Sequence, residues 1–205
     1  MNKSFATPVG GLSPACIDYD YPDNLKGWRG MALVGEAPGA EEVELGRPFV
    51  GRSGQLLDTL LAKVGIDRRA CLVANVFRYR PPDNKVDHFF VSRRKAQANS
   101  IQLADKYGKF GSIWCRAEFA GELEYLRSTL QKLNPAVIVS LGRTPLWALT
   151  GQDGLLSKVG VPVESTLVPD VPVIPTYHPS FILRGNWRLQ DDWARHFIFA
   201  KQHVG

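Results

Sequence analysis

Long hydrophobic runs are missing from this chain of 205 residues. No stretch approaches the ~20 apolar residues that a bilayer-spanning helix needs. The opening MNKSFATPVGGLSPAC also lacks the continuous apolar segment of a secretory leader. These absences lead us to expect a soluble cytoplasmic protein that does not engage a membrane. Cysteine is scarce too: Cys16, Cys71 and Cys115 are odd in number, with neither C-x-x-C nor a Cys/His pair at ligand spacing. That pattern excludes a disulfide framework and a zinc-finger layout, and it fits reduced thiols. Two phosphate-binding signatures are absent as well. No Gly-Lys-Ser/Thr completes a P-loop, and no G-x-G-x-x-G marks a dinucleotide site.

What is present is a modest excess of base, 25 Lys and Arg against 20 Asp and Glu, with a sequence pI of about 9.2. Such a surface mildly favours polyanions, although many ordinary enzymes share it. Strand and helix signals alternate along the chain. Gly30 to Val34, Cys71 to Phe77, Ala136 to Leu141 and Val173 to Thr176 read as strands, and AVIVSL is apolar throughout, as strands covered on both faces are. Helical periods occupy Gly54 to Val64, Glu122 to Leu133 (stopped by Asn134-Pro135), a short piece from Thr144 to Leu149, and Gln190 to Phe199. The expected fold is α/β, a three-layer α/β/α sandwich around a mostly parallel sheet of four to five strands, formed by residues 1–205 as a single domain. Residues 1–28, rich in Gly, Pro and Asp, read as an irregular arm packed over it.

One excursion interrupts the pattern. Asp83 to Gly121 holds seven Lys or Arg against four Asp or Glu, interleaved with Phe89, Phe90, Tyr107, Phe110, Trp114 and Phe119. A connection this long is usually functional or has structure of its own, and VSRRKAQANSIQLADKYG suggests a helix there. Basic side chains, Arg93, Arg94 and Lys95 foremost, offer phosphate affinity, and aromatic rings offer stacking. Packing of the rings onto the domain is the better reading for at least half of them.

Parallel sheets place their sites beyond the carboxyl ends of strands, and three polar groups fall at such ends. Glu36 follows the first strand inside GEAPG, where Gly35, Pro38 and Gly39 permit a tight turn that brings backbone N–H groups toward a ligand. Asn75 is a polar side chain in the apolar strand CLVANVF, and His178 lies in TYHPS with its backbone biased by Pro179. Each alone reads as well as a solvated turn residue, a satisfied core amide or a structural histidine.

Taken together and in order, GEAPGAEEVELGRPFVGRSGQLLD, ANVFRYRPPDNK, VIVSLG and TYHPSFILR resemble the motif set of the uracil-DNA glycosylase superfamily, nearest to its family 4. The resemblance implies that DNA is the partner, bound by a monomer, and that a pyrimidine is flipped out of the duplex into a pocket. Glu36 would stabilise the sugar cation and position water, and His178 would stabilise the departing base through its O2. Asn75 would bond the base edge, Phe49 would stack on its face, and Glu42 with the amides near Ala37 and Gly39 would complete the base site. Ser180, Phe181, Ile182, Leu183 and Arg184 would meet DNA, the apolar three as a wedge and Arg184 at phosphate. Burial in the core competes with the wedge role for those three.

The resemblance also implies four cysteines holding an iron–sulfur cluster, and here the chain departs from it. Cys16 stands alone in SPACIDYD, Tyr79 takes a cysteine position in RYRPP, and the last position falls near Gly121 or Glu122. A cluster needs its thiolates together, so no cofactor and no metal are expected. The acidic pair of the first motif is changed to Glu42-Val43. The expected reaction is that of a monofunctional glycosylase leaving an abasic site, since no lysine in these motifs is placed for a Schiff base. Three alternatives stay open: excision of hydroxymethylated or glucosylated pyrimidines in defence against phage, a catalytically silent DNA-binding module, and a hydrolase of free nucleosides. A covalent variant would use a histidine after RPP, for which His88 is in the right part of the chain.

Overall fold

The computed structural model describes residues 16–205; of the N-terminal arm, 1–15 lie outside the described residues. Among the described residues, eight strands and seven α-helices follow one another as β1 (Met31–Gly35), α1 (Ala40–Leu45), α2 (Arg52–Lys63), β2 (Leu72–Asn75), β3 (Phe90–Val91), α3 (Arg93–Ala98), β4 (Lys109–Phe110), β5 (Ile113–Cys115), α4 (Ala120–Leu133), β6 (Val137–Leu141), α5 (Arg143–Thr150), β7 (Val163–Glu164), β8 (Pro172–Thr176), α6 (Pro179–Leu183) and α7 (Gln190–Lys201). The main sheet runs β2-β1-β6-β8-β7 and is parallel except for β7, which pairs antiparallel with β8 at the edge.

Side chains of these strands alternate between two cores, as the period of two requires. Ala32, Val34, Leu72, Ala74, Ile138 and Val173 face one core with Leu123, Leu126 and Leu130 of α4 and Trp147 of α5. Met31, Leu33, Val73, Val137, Val139 and Ile174 face the other with Leu57, Leu60 and Leu61 of α2 and Trp193 and Phe197 of α7. Helices therefore cover both faces, giving the expected α/β/α layers and explaining why the central strands are mostly apolar on both sides. Each of the largest fully buried side chains stabilises the fold by about 1.5–3 kcal/mol. Among the described residues no helix is long and apolar enough to cross a membrane.

The excursion differs from its sequence reading in form. Its helix is short, Arg93–Ala98 only, opened by the Ser92 hydroxyl accepting from Lys95 N–H and followed by Ser100 at φ 54°. The remainder folds as a separate antiparallel sheet, β3-β5-β4. Its rings are largely inside: Phe89 stacks on Phe77 with centroids 3.9 Å apart, and Phe90 meets Trp147 edge-on at 5.2 Å. Two short helices were not anticipated, α1 and α6. Each begins at a strand exit and carries pocket residues into place.

Candidate active site

Beyond the carboxyl ends of β1, β2, β6 and β8 lies a cavity of about 550 Å³. Glu36, Asn75 and His178 all line it, as do Phe49, Ala37 and Gly39. They converge because β1 and β2 are hydrogen-bonded neighbours with Gly35 opposite Asn75. His178 stands two residues past β8.

Gly35 makes this convergence possible. A Cβ there would lie 2.3 Å from the Phe49 ring and 2.6 Å from the Asn75 side-chain oxygen, so only glycine lets both groups close over the strand end. Phe49 itself sits at φ 53°, in the left-handed region that costs a non-glycine residue energy. Arg68 holds it there, donating to the carbonyls of Phe49 and Pro48 at 2.9 and 2.7 Å. The ring is buried and lies 5.9 Å from that of His178, leaning toward it at 36°.

Glu36 Oε2 accepts a 2.5 Å hydrogen bond from the Thr144 hydroxyl. Thr144, fully buried, belongs to the first turn of α5, and Gly142 before it takes φ 106° where the chain passes close to His178. Burial raises the Glu36 carboxyl above the ordinary carboxylate value, with the Thr144 bond opposing and Asp87 reinforcing the rise. In this fixed, partly dehydrated setting a carboxylate charge acts strongly on a nearby cation.

His178 is the N-cap of α6. Its Nδ1 accepts from Ser180 N–H at 3.1 Å and pairs with the Ser180 hydroxyl at 2.8 Å, while Arg184 donates to that hydroxyl at 3.0 Å. With Nδ1 accepting a backbone N–H, the neutral tautomer carries its proton on Nε2. Close packing lowers the imidazole to about 4, with Arg184 adding to the fall and Glu42 opposing it. The residue is only partly exposed, and with its imidazole lowered to about 4 and Nδ1 accepting it presents Nε2–H as a neutral donor at neutral pH.

Several expected roles change. Glu42 lines the cavity, yet Oε2 accepts from Gly39 N–H and Oε1 from the N–H groups of Val50 and Gly51. Its carboxylate ties the two pocket loops together instead of reading a base, and the Gly39 amide is likewise occupied. Ser180 holds His178 and Arg184 rather than standing free for phosphate. Ile182 is wholly buried in the α2/α7 core and unfit as a wedge, because α6 is amphipathic and turns that face inward. Phe181 lines the cavity, stacked on Tyr177 at 5.7 Å, whereas half-buried Leu183 does not line it. Arg93, Arg94 and Lys95 are exposed but outside the cavity wall. Arg93 is paired with Asp105 at 2.7 Å and lies over Trp114. His88, exposed on the turn before β3, is also away from the cavity.

The sequence reading missed Thr144, Asn84, Arg143 and Leu156. Thr144 looked like an ordinary helix-start residue, and only the fold brings it to Glu36, 108 positions away. Arg143, forked onto Asp153 at 2.6 Å, and Asn84 stand on the wall, and Leu156, 73% exposed, marks the rim. Among the described residues no three His, Cys, Asp or Glu side chains gather as a metal site.

The arrangement sets a fixed carboxylate, an amide, an aromatic face and a neutral imidazole donor around one cavity. Comparison with known proteins matches the same segments. The family model described as Uracil DNA glycosylase superfamily covers residues 29–200. Similar curated proteins include the Type-4 uracil-DNA glycosylase of Thermotoga maritima, 35% identical over 156 residues, spanning 75% of this chain and 66% of that protein. That of Pyrobaculum aerophilum is 31% identical over 169 residues, 76% of this chain and 68% of the relative. That of Archaeoglobus fulgidus is 33% identical over 113 residues, 55% and 43% respectively. The chain thus spans about two thirds or less of the length of these relatives. On the extent of the family match, with the motif residues meeting in one cavity, the chain belongs to the uracil-DNA glycosylase superfamily.

Proposed function

We propose that this chain is a monofunctional DNA glycosylase that hydrolyses the N-glycosidic bond of a flipped-out uracil and leaves an abasic site. The observation that carries the reading is that a fixed carboxylate and a histidine donor line the same cavity. Cleavage of the bond places positive charge on the sugar and negative charge on the base oxygens. Glu36, anchored by Thr144, supplies the anion for the sugar and orients water for attack at C1′. His178 donates Nε2–H to the base O2 and keeps that proton as the negative charge develops on the leaving base. Asn75 bonds the base edge and Phe49 covers its face, so a pyrimidine stacks on the cavity side of the ring, whose other side is already closed against Gly35. The names of the relatives, all Type-4 uracil-DNA glycosylases, support uracil as the base.

A larger pyrimidine is the second reading, favoured by the size of the cavity. At about 550 Å³, and extending to Asn84, Arg143 and Leu155, it falls in the range that encloses drug-sized ligands, well beyond a bare pyrimidine ring. A hydroxymethylated or glucosylated base would use that space, and its excision would serve defence against phage. Base release from matched oligonucleotides carrying uracil, 5-hydroxymethyluracil, 5-hydroxymethylcytosine or glucosylated 5-hydroxymethylcytosine separates the readings. Uracil release abolished by Glu36→Gln supports the first. Release of a modified base with little from uracil replaces it by the second, and no release from any substrate rejects both.

A further inference from the structure

The segments that carry cluster cysteines in the family pattern meet in this chain, but with a different donor set. Cys16 forms a β-bridge with Tyr79, and next to them Arg78 and Glu122 are locked together. Glu122 Oε2 accepts from Arg78 Nε at 2.9 Å and from the Arg78 backbone N–H at 3.0 Å, and Oε1 accepts from Nη2 at 3.1 Å. Both side chains are about nine-tenths buried. The guanidinium lies 3.6 Å from the centroid of the Tyr125 ring, and the Tyr125 hydroxyl donates to Asp18 at 3.0 Å. Ile17 N–H reaches the Arg78 carbonyl at 2.9 Å.

An iron–sulfur cluster does not fit these groups. The corner offers one thiol, a phenol and a carboxylate already bonded three times, with a guanidinium among them, where a cluster requires thiolates. The other two cysteines are elsewhere: Cys71 is in the α2/α7 core and Cys115 in the opposite core within β5. Burial pushes both thiols up to about 12.

We propose that a protein-only clasp, Arg78–Glu122 capped by Tyr125, replaces the cluster in this chain and joins the N-terminal arm, the exit of β2 and the start of α4 without iron. The exit of β2 is also the wall that carries Asn75 and leads to Pro81 and Asn84 at the cavity, so the clasp fixes one side of the pocket. Removing one member leaves a buried charge without its partner, whereas removing both leaves none. This asymmetry distinguishes an ionic clasp from a corner that merely packs.

The test uses the full chain produced in iron-supplemented cells and does not depend on which base, if any, is excised. Iron and acid-labile sulfide are measured per chain, and Tm is measured with and without chelator and oxidant. The expected result is trace iron, a Tm indifferent to both reagents, and a Tm lowered by roughly 10 °C in Glu122→Gln. The double variant Arg78→Met with Glu122→Leu regains more than half of that loss, and Cys16→Ser moves Tm by less than about 2 °C. Stoichiometric iron and sulfide, a chelator-sensitive Tm, or a loss on Cys16→Ser accompanied by loss of bound iron would overturn the proposal. An unmoved Glu122→Gln would do the same. If Glu122→Gln yields no folded protein, the double variant decides: recovery of a folded chain supports the clasp, and failure to recover contradicts it.

Discussion

The pocket loops and the 83–121 excursion contain the same raw material, aromatic rings among charged side chains, and use it in opposite ways. In the excursion the rings turn inward and several cations find partners: Phe89 and Phe90 join the core, Arg93 pairs with Asp105, and Arg116 pairs with Glu118. In the pocket the groups are held by neighbours yet keep a face toward the cavity, as Glu36 does on Thr144 and His178 on Ser180. Composition alone does not distinguish the two regions. What separates them is position: the pocket groups sit at adjacent exits of a parallel sheet, where no further strand covers them.

That contrast predicts opposite responses to mutation. Glu36→Gln should cost the largest factor, roughly 10³–10⁴ in the rate of base release at unchanged Tm, measured in single turnover. Phe89→Ala should do the reverse, lowering stability by about 3–5 kcal/mol while the folded fraction keeps its rate; a rate loss at full folding would place the excursion in the chemistry. His178→Ala should slow release by roughly 10². Its pH signature follows from the folded value of about 4 against 6.5 for the free side chain. A group depressed on folding contributes stability that is complete above pH 6.5 and lost as pH falls toward about 4, because the unfolded chain takes up the proton first. The stability gap between wild type and His178→Ala should therefore narrow on acidification across that window.

Thr144→Val should cost about tenfold and move the acid limb of the rate profile to higher pH, since the lost hydrogen bond had lowered the Glu36 carboxyl against the effect of burial. An unmoved limb would leave Thr144 with a packing role only. The smallest effect belongs to exposed Arg94→Ala: less than about 0.5 kcal/mol in stability, with any change in DNA affinity diminishing as salt rises.

The layers, the parallel strands and their order in the chain were legible because apolar runs and helical periods are local signals. Glu36, Asn75, Phe49 and His178, which line the cavity, were picked out as candidates through their motifs. Thr144 was not, because a threonine at a helix start has many uses and its partner is 108 residues away. Glu42 was misread for a related reason: a carboxylate in a binding motif looks the same whether it faces the base or ties Gly39 to Val50 and Gly51. The Asp83 to Gly121 segment hid its small sheet because two- and three-residue strands carry no usable period.

The central claim is that the Glu36 and His178 pair cleaves a glycosidic bond in DNA. The most direct measurement is single-turnover release of uracil from a uracil-containing oligonucleotide at neutral pH, wild type beside Glu36→Gln. The account predicts base release leaving an alkali-labile abasic site with wild type, and at least a hundredfold less with the variant at equal Tm. Equal rates for the two proteins would contradict it.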